Sequence, residues 1–451
     1  MQRTVSSIFR KRLRRLCAIA VAALAGVAAV APAQAQLGLP RINLPNLPRD
    51  LLRAPTTIAA PLAATTAQLR TLRARTINDL LRDHADVLEP DPAGEPIRRQ
   101  ELLLVSPARA IVDAAIALGF VLLREQTLAE LGLTQVVLRA PAGVGTAEAL
   151  ARLRAIDPAV EADFNHVYTR GGEVAAAPAA PTPSGTPTVR RVGAVVSAVV
   201  GLVDSGVDRQ HPSLRAADVM SWGCDGNSMP TPHGTAVASL LVGRDTSFSG
   251  SAPEAALYAA DIYCDQAAGG AVENLAAALA WMAREHVAVI NVSLVGPANR
   301  LLERVVRALT EKGHLIVAAV GNDGPAAPPL YPASYAGVVG VTGVTPARRV
   351  LPEAAQGAQV TLAAPGAELA VARPGGGYGS ARGTSFAAPL VAGLLAQTLQ
   401  APAPDAAAAA LARVAAGAQD LGAPGRDPVY GLGLVAERNR IAPERVQAAR
   451  H

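Results

Sequence analysis

Cysteine is scarce in this chain of 451 residues, which contains three. Cys17 lies in an N-terminal segment that we expect to be removed, which leaves Cys224 and Cys264. One pair cannot form a disulfide scaffold for so long a chain, and the two cysteines are too far apart and too differently flanked to indicate a metal site. In an oxidising compartment the pair is a candidate disulfide, with two unrelated buried thiols as the alternative.

An excess of charge of one sign is also missing. The net charge is +5, but residues 1–36 hold six cations and no acid, so the remainder carries −1. Nucleic acids and anionic membranes bind proteins with basic surfaces, and we therefore expect neither as a partner. Half of the residues are hydrophobic and 17% are charged, which excludes disorder throughout and allows two or three domains.

The N-terminal apolar stretch is short for a membrane span. It runs for 16 residues, "LCAIAVAALAGVAAVA", whereas a transmembrane helix needs about 20. A basic stretch, "RKRLRR", precedes it, and "APAQAQ" follows with small residues at Ala33 and Ala35. This order is typical of a signal peptide. We expect residues 1–35 to be removed, leaving no stable membrane anchor, and the protein to be secreted or periplasmic; an uncleaved anchor is the alternative.

The first half of the chain divides by composition. Residues 36–99 are rich in Pro and Arg and contain one amphipathic helix. Residues 100–170 have the order strand, helix, strand, strand, helix, strand, which predicts a small α+β domain of the ferredoxin-like kind. Residues 171–192 are rich in Ala, Pro, Gly and Thr, which predicts an exposed and cleavable linker.

The second half, residues 193–441 before a tail at 442–451, alternates continuous apolar runs with helical segments. Such runs predict an α/β domain of three layers, with a mainly parallel sheet covered by helices on both faces. Ligands of these sheets bind at the carboxyl ends of the strands. We therefore expect the chemistry to lie in the residues that follow the apolar runs.

Three reactive side chains follow such runs or open a helix. Asp204 ends "VVGLVD", His233 opens "HGTAVASLLVG" and Ser385 opens "SFAAPLVAG", at separations of 29 and 152 positions. Singly they are typical of a turn carboxylate, a structural histidine and a helix cap. Together they supply a nucleophile, a base that takes its proton and a carboxylate that orients the base.

The stretch from about 196 to 440 resembles the catalytic domain of the subtilisin-like serine proteases, the subtilases. Five blocks stand in the family's order: "VVGLVDSGVDRQHPSL", "PHGTAVASLLVG", "VINVSLVGP", "LIVAAVGNDGP" and "GTSFAAPLVAG". The resemblance implies a serine endopeptidase that acts on peptides or proteins through an acyl-enzyme on Ser385. It implies His233 as the general base, Asp204 as the group that orients it, and no required cofactor.

Further site residues follow from the resemblance. Asn322 is implied as a donor to the oxyanion of the tetrahedral intermediate. The strand that pairs with an extended substrate is implied at Ser293, Leu294, Val295 and Gly296.

Two valines depart from the family's usual pattern. Val295 stands where many members have glycine, and Val320 stands where a smaller residue is common. Both changes narrow or reshape the pocket for the residue before the cleaved bond, so we expect an apolar preference there. Simple core packing is the alternative explanation for both.

The small domain resembles the subtilase propeptide in its position and in its ending, "DPAVEADFNHVY". The resemblance implies a prodomain that assists folding, inhibits the enzyme and lays its C-terminal strand through the substrate cleft. A retained accessory domain is the alternative. We predict no metal site, because no clear run of oxygen ligands for calcium is present; a structural calcium ion is the alternative that the sequence leaves open.

We expect a self-processed precursor of an exported endopeptidase. A transpeptidase would use the same acyl-enzyme, so the sequence does not separate it from a hydrolase. A non-catalytic peptide-binding protein would have lost a residue of the triad or the oxyanion hole, and all of these residues are present.

Overall fold

The computed structural model describes residues 66–175, 198–227, 229–266 and 269–448, which all lie within one compact unit, Pro61–His451. The predicted signal peptide and most of the predicted linker lie outside these residues. In the described part of the chain, no helix combines the length and the apolar character needed to cross a membrane.

The N-terminal part contains an antiparallel sheet of five strands. Its helices and strands are α1 (Thr66–Asp83), β1 (Leu88–Pro90), β2 (Pro96–Val105), α2 (Arg109–Ala117), β3 (Val121–Leu128), β4 (Leu133–Arg139), α3 (Thr146–Ile156) and β5 (Ala162–His166). Strand β2 pairs with β1, β4 and β5, and β3 pairs with the other side of β4. From β2 to β5 the elements follow the predicted order. The sheet begins before residue 100, because β1 pairs with the start of β2.

Among the described residues, five short strands lie outside the two large sheets. They are β6 (Thr169–Arg170), β7 (Glu173–Ala175), β12 (Leu294–Val295), β16 (Leu369–Ala372) and β17 (Tyr378–Arg382). Strands β6 and β12 form one antiparallel pair, and β17 pairs with both β16 and β7.

The C-terminal part is built on a parallel sheet of seven strands. These strands are β8 (Val199–Asp204), β9 (Val219–Trp222), β10 (Ala256–Asp261), β11 (Val289–Val292), β13 (Leu315–Ala319), β14 (Val339–Val344) and β15 (Val360–Pro365). Their order across the sheet is β15-β14-β13-β11-β8-β10-β9. The helices are α4 (Pro232–Val242), α5 (Val272–Arg284), α6 (Arg300–Glu311), α7 (Thr384–Ala396), α8 (Pro404–Ala416) and α9 (Pro443–Ala448).

The strands of this sheet are apolar throughout because both faces are covered. In β13, Val317 belongs to a core that includes residues of α4 and α7, whereas Ile316 belongs to a core that includes residues of α5 and α6. Successive side chains of a strand point to opposite faces, so each strand contributes to both cores. This arrangement confirms the predicted three-layer α/β fold.

Strand β2 of the N-terminal sheet also has two buried faces. Leu102 and Leu104 pack with α2 and α3 in the small domain's own core. Leu103, which points the other way, lies in the same core as Leu275 of α5 and Leu301 of α6. The second face of the N-terminal sheet is therefore covered by helices of the C-terminal part.

Candidate active site

Three polar side chains meet at one edge of the parallel sheet. Asp204 is the last residue of β8, His233 is the second residue of α4 and Ser385 is the second residue of α7. All three are buried, with exposed fractions of 0%, 7% and 0%. Ser385 is not the cap of its helix, because Gly383 occupies that position.

Local sequence fixes where His233 lies. Helix α4 begins at Pro232, whose fixed φ suits a first helical position. The Thr231 hydroxyl caps the helix by accepting the Gly234 backbone N–H at 3.2 Å. The helix therefore starts beside the end of β8, and His233 faces Asp204.

The carboxylate of Asp204 orients the imidazole of His233. Nδ1 of His233 lies 2.9 Å from both Oδ1 and Oδ2 of Asp204. Oδ1 also accepts the backbone N–H of Ser205 at 2.6 Å and its hydroxyl at 2.8 Å. A carboxylate is only an acceptor, so Nδ1 carries the proton and Nε2 points toward the cleft.

A backbone carbonyl occupies the other nitrogen of this histidine. Nε2 of His233 lies 2.8 Å from the carbonyl oxygen of Gly171. Oγ of Ser385 donates to the carbonyl oxygen of Ser293 at 3.4 Å. A carbonyl oxygen only accepts hydrogen bonds, so this contact is a hydrogen bond only when both ring nitrogens carry a proton, and in that form Nε2 cannot accept one from Ser385.

Asn322 lies in the loop after β13 and directs its amide into the same space. Its Oδ1 accepts the backbone N–H of Thr384 at 3.0 Å. Its Nδ2 is buried and has no hydrogen-bond partner among the described residues. A buried donor without an acceptor is costly, and here it lies where a developing negative charge on a carbonyl oxygen could be stabilised.

The predicted substrate strand is occupied by the chain itself. In the pairing of β12 with β6, Leu294 stands opposite Arg170 and Val295 opposite Thr169. Gly296 follows and pairs with Tyr331, and Ser293 precedes them at the end of β11. Leu294 and Val295 therefore pair with residues 169–170, whereas Gly296 lies against the ring of Tyr168.

The residue before this segment is held in a closed pocket. Tyr168 is fully buried, and its hydroxyl donates to the carbonyl oxygen of Pro297 at 2.5 Å. Its ring lies so close to Gly296 that a Cβ there would be 2.7 Å away. The Tyr263 hydroxyl donates to the Tyr168 carbonyl at 2.8 Å, and the guanidinium of Arg170 lies 4.7 Å from the Tyr263 ring centroid.

The chain continues through the cleft to its other side. Glu173 stands opposite Arg382 in the pairing of β7 with β17, the strand that leads to Ser385. Gly171 and Gly172 cross between the two paired segments. Residues 169–175 thus run as an extended peptide through the cleft, past the side chains of His233 and Ser385.

The two valines of the predicted pocket are both buried, with exposed fractions of 4% for Val295 and 0% for Val320. Val320 lies in the core shared with α5 and α6. Its side chain therefore packs in the core, which favours core packing as the explanation at that position.

Cys224 and Cys264 form a disulfide. Together with Asp261 they are the only group of three potential metal-ligating side chains found among the described residues, and both sulfurs are used in the disulfide. Oδ1 of Asp261 accepts the backbone N–H groups of Tyr263 and Cys264, each at 3.0 Å. Burial raises the pKa of Asp261, in spite of these two hydrogen bonds, and the charge of Asp204 raises it further.

The sequence analysis missed four residues of this site. Gly171 and Gly172 stand at the beginning of the predicted linker. Because that segment is rich in Gly, Ala and Pro, the sequence pattern assigns the two glycines to the linker and not to the cleft. Phe386 follows Ser385, and its ring centroid lies 5.3 Å from that of His233. Thr384 accepts the Gly321 N–H at 3.2 Å and so ties α7 to the loop of Asn322. The double glycine at a predicted domain boundary was the available signal.

Comparisons with known proteins agree with the motifs. The model of the subtilase family matches residues 197–433. A subtilisin of Bacillus pumilus is 32% identical over 213 residues, which cover 44% of this chain and 76% of the relative. Thermitase of Thermoactinomyces vulgaris is 32% identical over 205 residues, which cover 44% of this chain and 73% of the relative.

A solved structure shares the fold. Fervidolysin of Fervidobacterium pennivorans, described as a keratinolytic enzyme related to subtilisin, matches with a TM-score of 0.63. The match covers 80% of this chain and 62% of that protein at 20% identity. This similarity concerns the fold alone.

Proposed function

The chain belongs to the subtilase family and is a serine endopeptidase, and on that premise we propose that Ser385 is its nucleophile. His233 is the general base, Asp204 orients it, and Asn322 stabilises the oxyanion. The observation that carries this assignment is the contact of Nδ1 of His233 with the buried carboxylate of Asp204, at 2.9 Å from both oxygens, which leaves Nε2 to act as the base.

The reaction starts from the neutral imidazole of His233, in which Nδ1 carries the proton and Nε2, once the Gly171 carbonyl has moved away, is free to accept one. Oγ of Ser385 then attacks a carbonyl carbon while its proton passes to Nε2. The oxyanion accepts hydrogen bonds from Nδ2 of Asn322 and the backbone N–H of Ser385. Collapse breaks the C–N bond, His233 gives its proton to the leaving amine, and water hydrolyses the acyl-enzyme by the same route.

We further propose that the protein is an exported precursor that processes itself. Its proposed divisions are a signal peptide at 1–35, a pro-segment at 36–99, an inhibitory prodomain at 100–170, a linker at 171–192, the catalytic domain at 193–441 and a tail at 442–451. Support comes from the peptide around Gly171, which runs through the cleft between the segments that pair with β12 and β17. In this state the prodomain blocks the base.

Replacing Ser385 with Ala tests the nucleophile and self-processing together. We expect the wild-type chain to yield two fragments separated between residues 168 and 192, and Ser385→Ala to stay intact, because no acyl-enzyme can form. Intact mass spectrometry after purification measures both. Ser249→Ala, which removes a hydroxyl from an exposed residue, is the matched control and should process normally. Normal cleavage of Ser385→Ala would exclude the proposal.

A further inference from the structure

We propose that the cleft selects substrates with glycine on both sides of the cleaved bond, and that Phe386 enforces the second glycine. The substrates are extended segments of proteins or peptides that contain a Gly-Gly pair, of which Gly171-Gly172 is the first to be cut. This inference rests on the proposed role of Ser385. It concerns what the site accepts and not whether the site is active.

The pairing of the two strands identifies the bond. Residues before Gly171 pair with β12, and residues after Gly172 pair with β17. The carbonyl that contacts His233 belongs to Gly171. The bond that this carbonyl forms with the next nitrogen is Gly171-Gly172, and it is the one that the triad faces.

A side chain at the first glycine would crowd the catalytic groups. A Cβ on Gly171 would lie 3.0 Å from Nδ2 of Asn322 and 3.1 Å from Oγ of Ser385. Asn322 is fixed by the hydrogen bond from Thr384, and Ser385 is fully buried in α7. To make room, Nδ2 of Asn322 or Oγ of Ser385 would have to shift by a few tenths of an ångström, which would disturb the geometry that the reaction needs.

A side chain at the second glycine is excluded for two independent reasons. Gly172 has a φ of +92°, a conformation that side chains disfavour. A Cβ there would lie 2.8 Å from Cε2 of Phe386 and 2.9 Å from the carbonyl oxygen of Arg382. Phe386 is fully buried, so its ring cannot move aside.

The flanking positions do not impose the same restriction. Arg170 is exposed, and Thr169 is only half-buried, because their backbones rather than their side chains pair with β12. The requirement for a small residue is therefore confined to the two positions at the bond. An enzyme with these contacts selects substrates by the space that is left beside their backbone at the cleaved bond.

Quenched fluorescent peptides test the selection directly. The enzyme is the wild-type full chain after self-processing, and the parent peptide carries residues 167–175. We expect Ala in place of either glycine to lower kcat/KM by about 10- to 200-fold, the range for one misfitting methyl group. Ala in place of Thr169 is the control and should change kcat/KM by less than about 5-fold. Equal cleavage of the Gly-Gly and Ala-containing peptides would overturn the proposal.

Two further measurements separate the causes of a negative result. If the wild-type enzyme neither hydrolyses casein nor is labelled at Ser385 by a fluorophosphonate, the proposed function itself is wrong. Casein hydrolysis with indifference to the glycines would reject only the selection.

Phe386→Ala examines the role of the ring. We expect its preference for Gly over Ala after the bond to fall by about 5-fold or more, because one of the two collisions is gone. An unchanged preference in a folded, labelled variant would remove Phe386 from the proposal. If the variant does not fold, the peptide series with the wild-type enzyme decides the matter alone.

Discussion

The two polar side-chain atoms of Asn322, Oδ1 and Nδ2, have separate roles. The oxygen is held by the Thr384 N–H at 3.0 Å, so that the amide nitrogen is fixed in the cleft without a partner among the described residues. A donor that is already in place needs no reorganisation when negative charge develops. With Asn322 in the proposed role, this arrangement favours the transition state over the bound substrate.

Asn322→Ala should lower kcat by about 10²- to 10³-fold with little change in KM, because the donor acts on charge that exists only in the transition state. Steady-state kinetics with the 167–175 peptide measures both constants. Asn227→Ala, at an exposed position, is the control. A rise in KM with unchanged kcat would contradict the assignment.

Much of the candidate site could be predicted from single residues. Asp204, His233 and Ser385 stand where parallel strands end or helices begin, and the sheet pattern is visible in the apolar runs. Gly171 and Gly172 could not be assigned in the same way. Their place in the cleft depends on the N-terminal sheet packing against α5 and α6, which joins residues more than a hundred positions apart.

At the scale of elements, the fold class followed from the sequence because the strands are apolar on both faces. The start of the small domain did not, since β1 has three residues and lies in a stretch dominated by Pro and charged residues. Only its pairing with β2 makes it a strand. Short edge strands of this kind carry little pattern of their own.

The connection from α6 to β13 contains a buried histidine. His314 is 4% exposed, and its Nδ1 donates to the carbonyl oxygen of Val287 at 2.7 Å. Burial lowers the pKa of His314, in spite of this hydrogen bond. The folded chain therefore binds this proton less readily than the unfolded chain does.

This histidine should make stability depend on pH. The unfolded side chain takes up a proton below a pH of about 6.5, and the folded one only at lower pH. The free energy of unfolding is therefore highest above about 6.5 and falls as the pH drops toward the lowered folded value. Urea unfolding of the Ser385→Ala chain at pH 7.5 and 5 measures the fall, which should be smaller in the His314→Gln variant. An equal fall in both proteins would exclude His314 as its source.

At the scale of the whole molecule, a buried carboxylate joins the N-terminal part to the C-terminal part. Glu273 of α5 is 5% exposed. Arg124 of β3 binds it through two hydrogen bonds of 2.9 and 2.7 Å, and Nδ2 of Asn165 donates to it at 3.2 Å. Both partners belong to the N-terminal part, so its departure leaves Glu273 without them.

Arg124→Ala should therefore weaken the complex of the two fragments that self-processing leaves. We expect the dissociation constant to rise about 30-fold or more, equivalent to about 2 kcal/mol, because a buried charge loses its partner. Size-exclusion chromatography of the processed protein at falling concentration measures it. Arg109→Ala, which breaks an exposed pair with Asp113 on α2, is the control. Equal dissociation of the two variants would contradict the role of Glu273.

If the chain processes itself as proposed, the two buried faces of β2 make release of the N-terminal fragment hard to reverse. After cleavage, the departing fragment carries a bare apolar surface that includes Leu103, Leu133 and Val137, which had been covered by α5 and α6. A domain of this size is only marginally stable. We therefore expect the released fragment to unfold readily and to be degraded by the protease that it had inhibited. The apolar surface that holds the N-terminal fragment in place thus also destabilises the fragment once it is exposed to water.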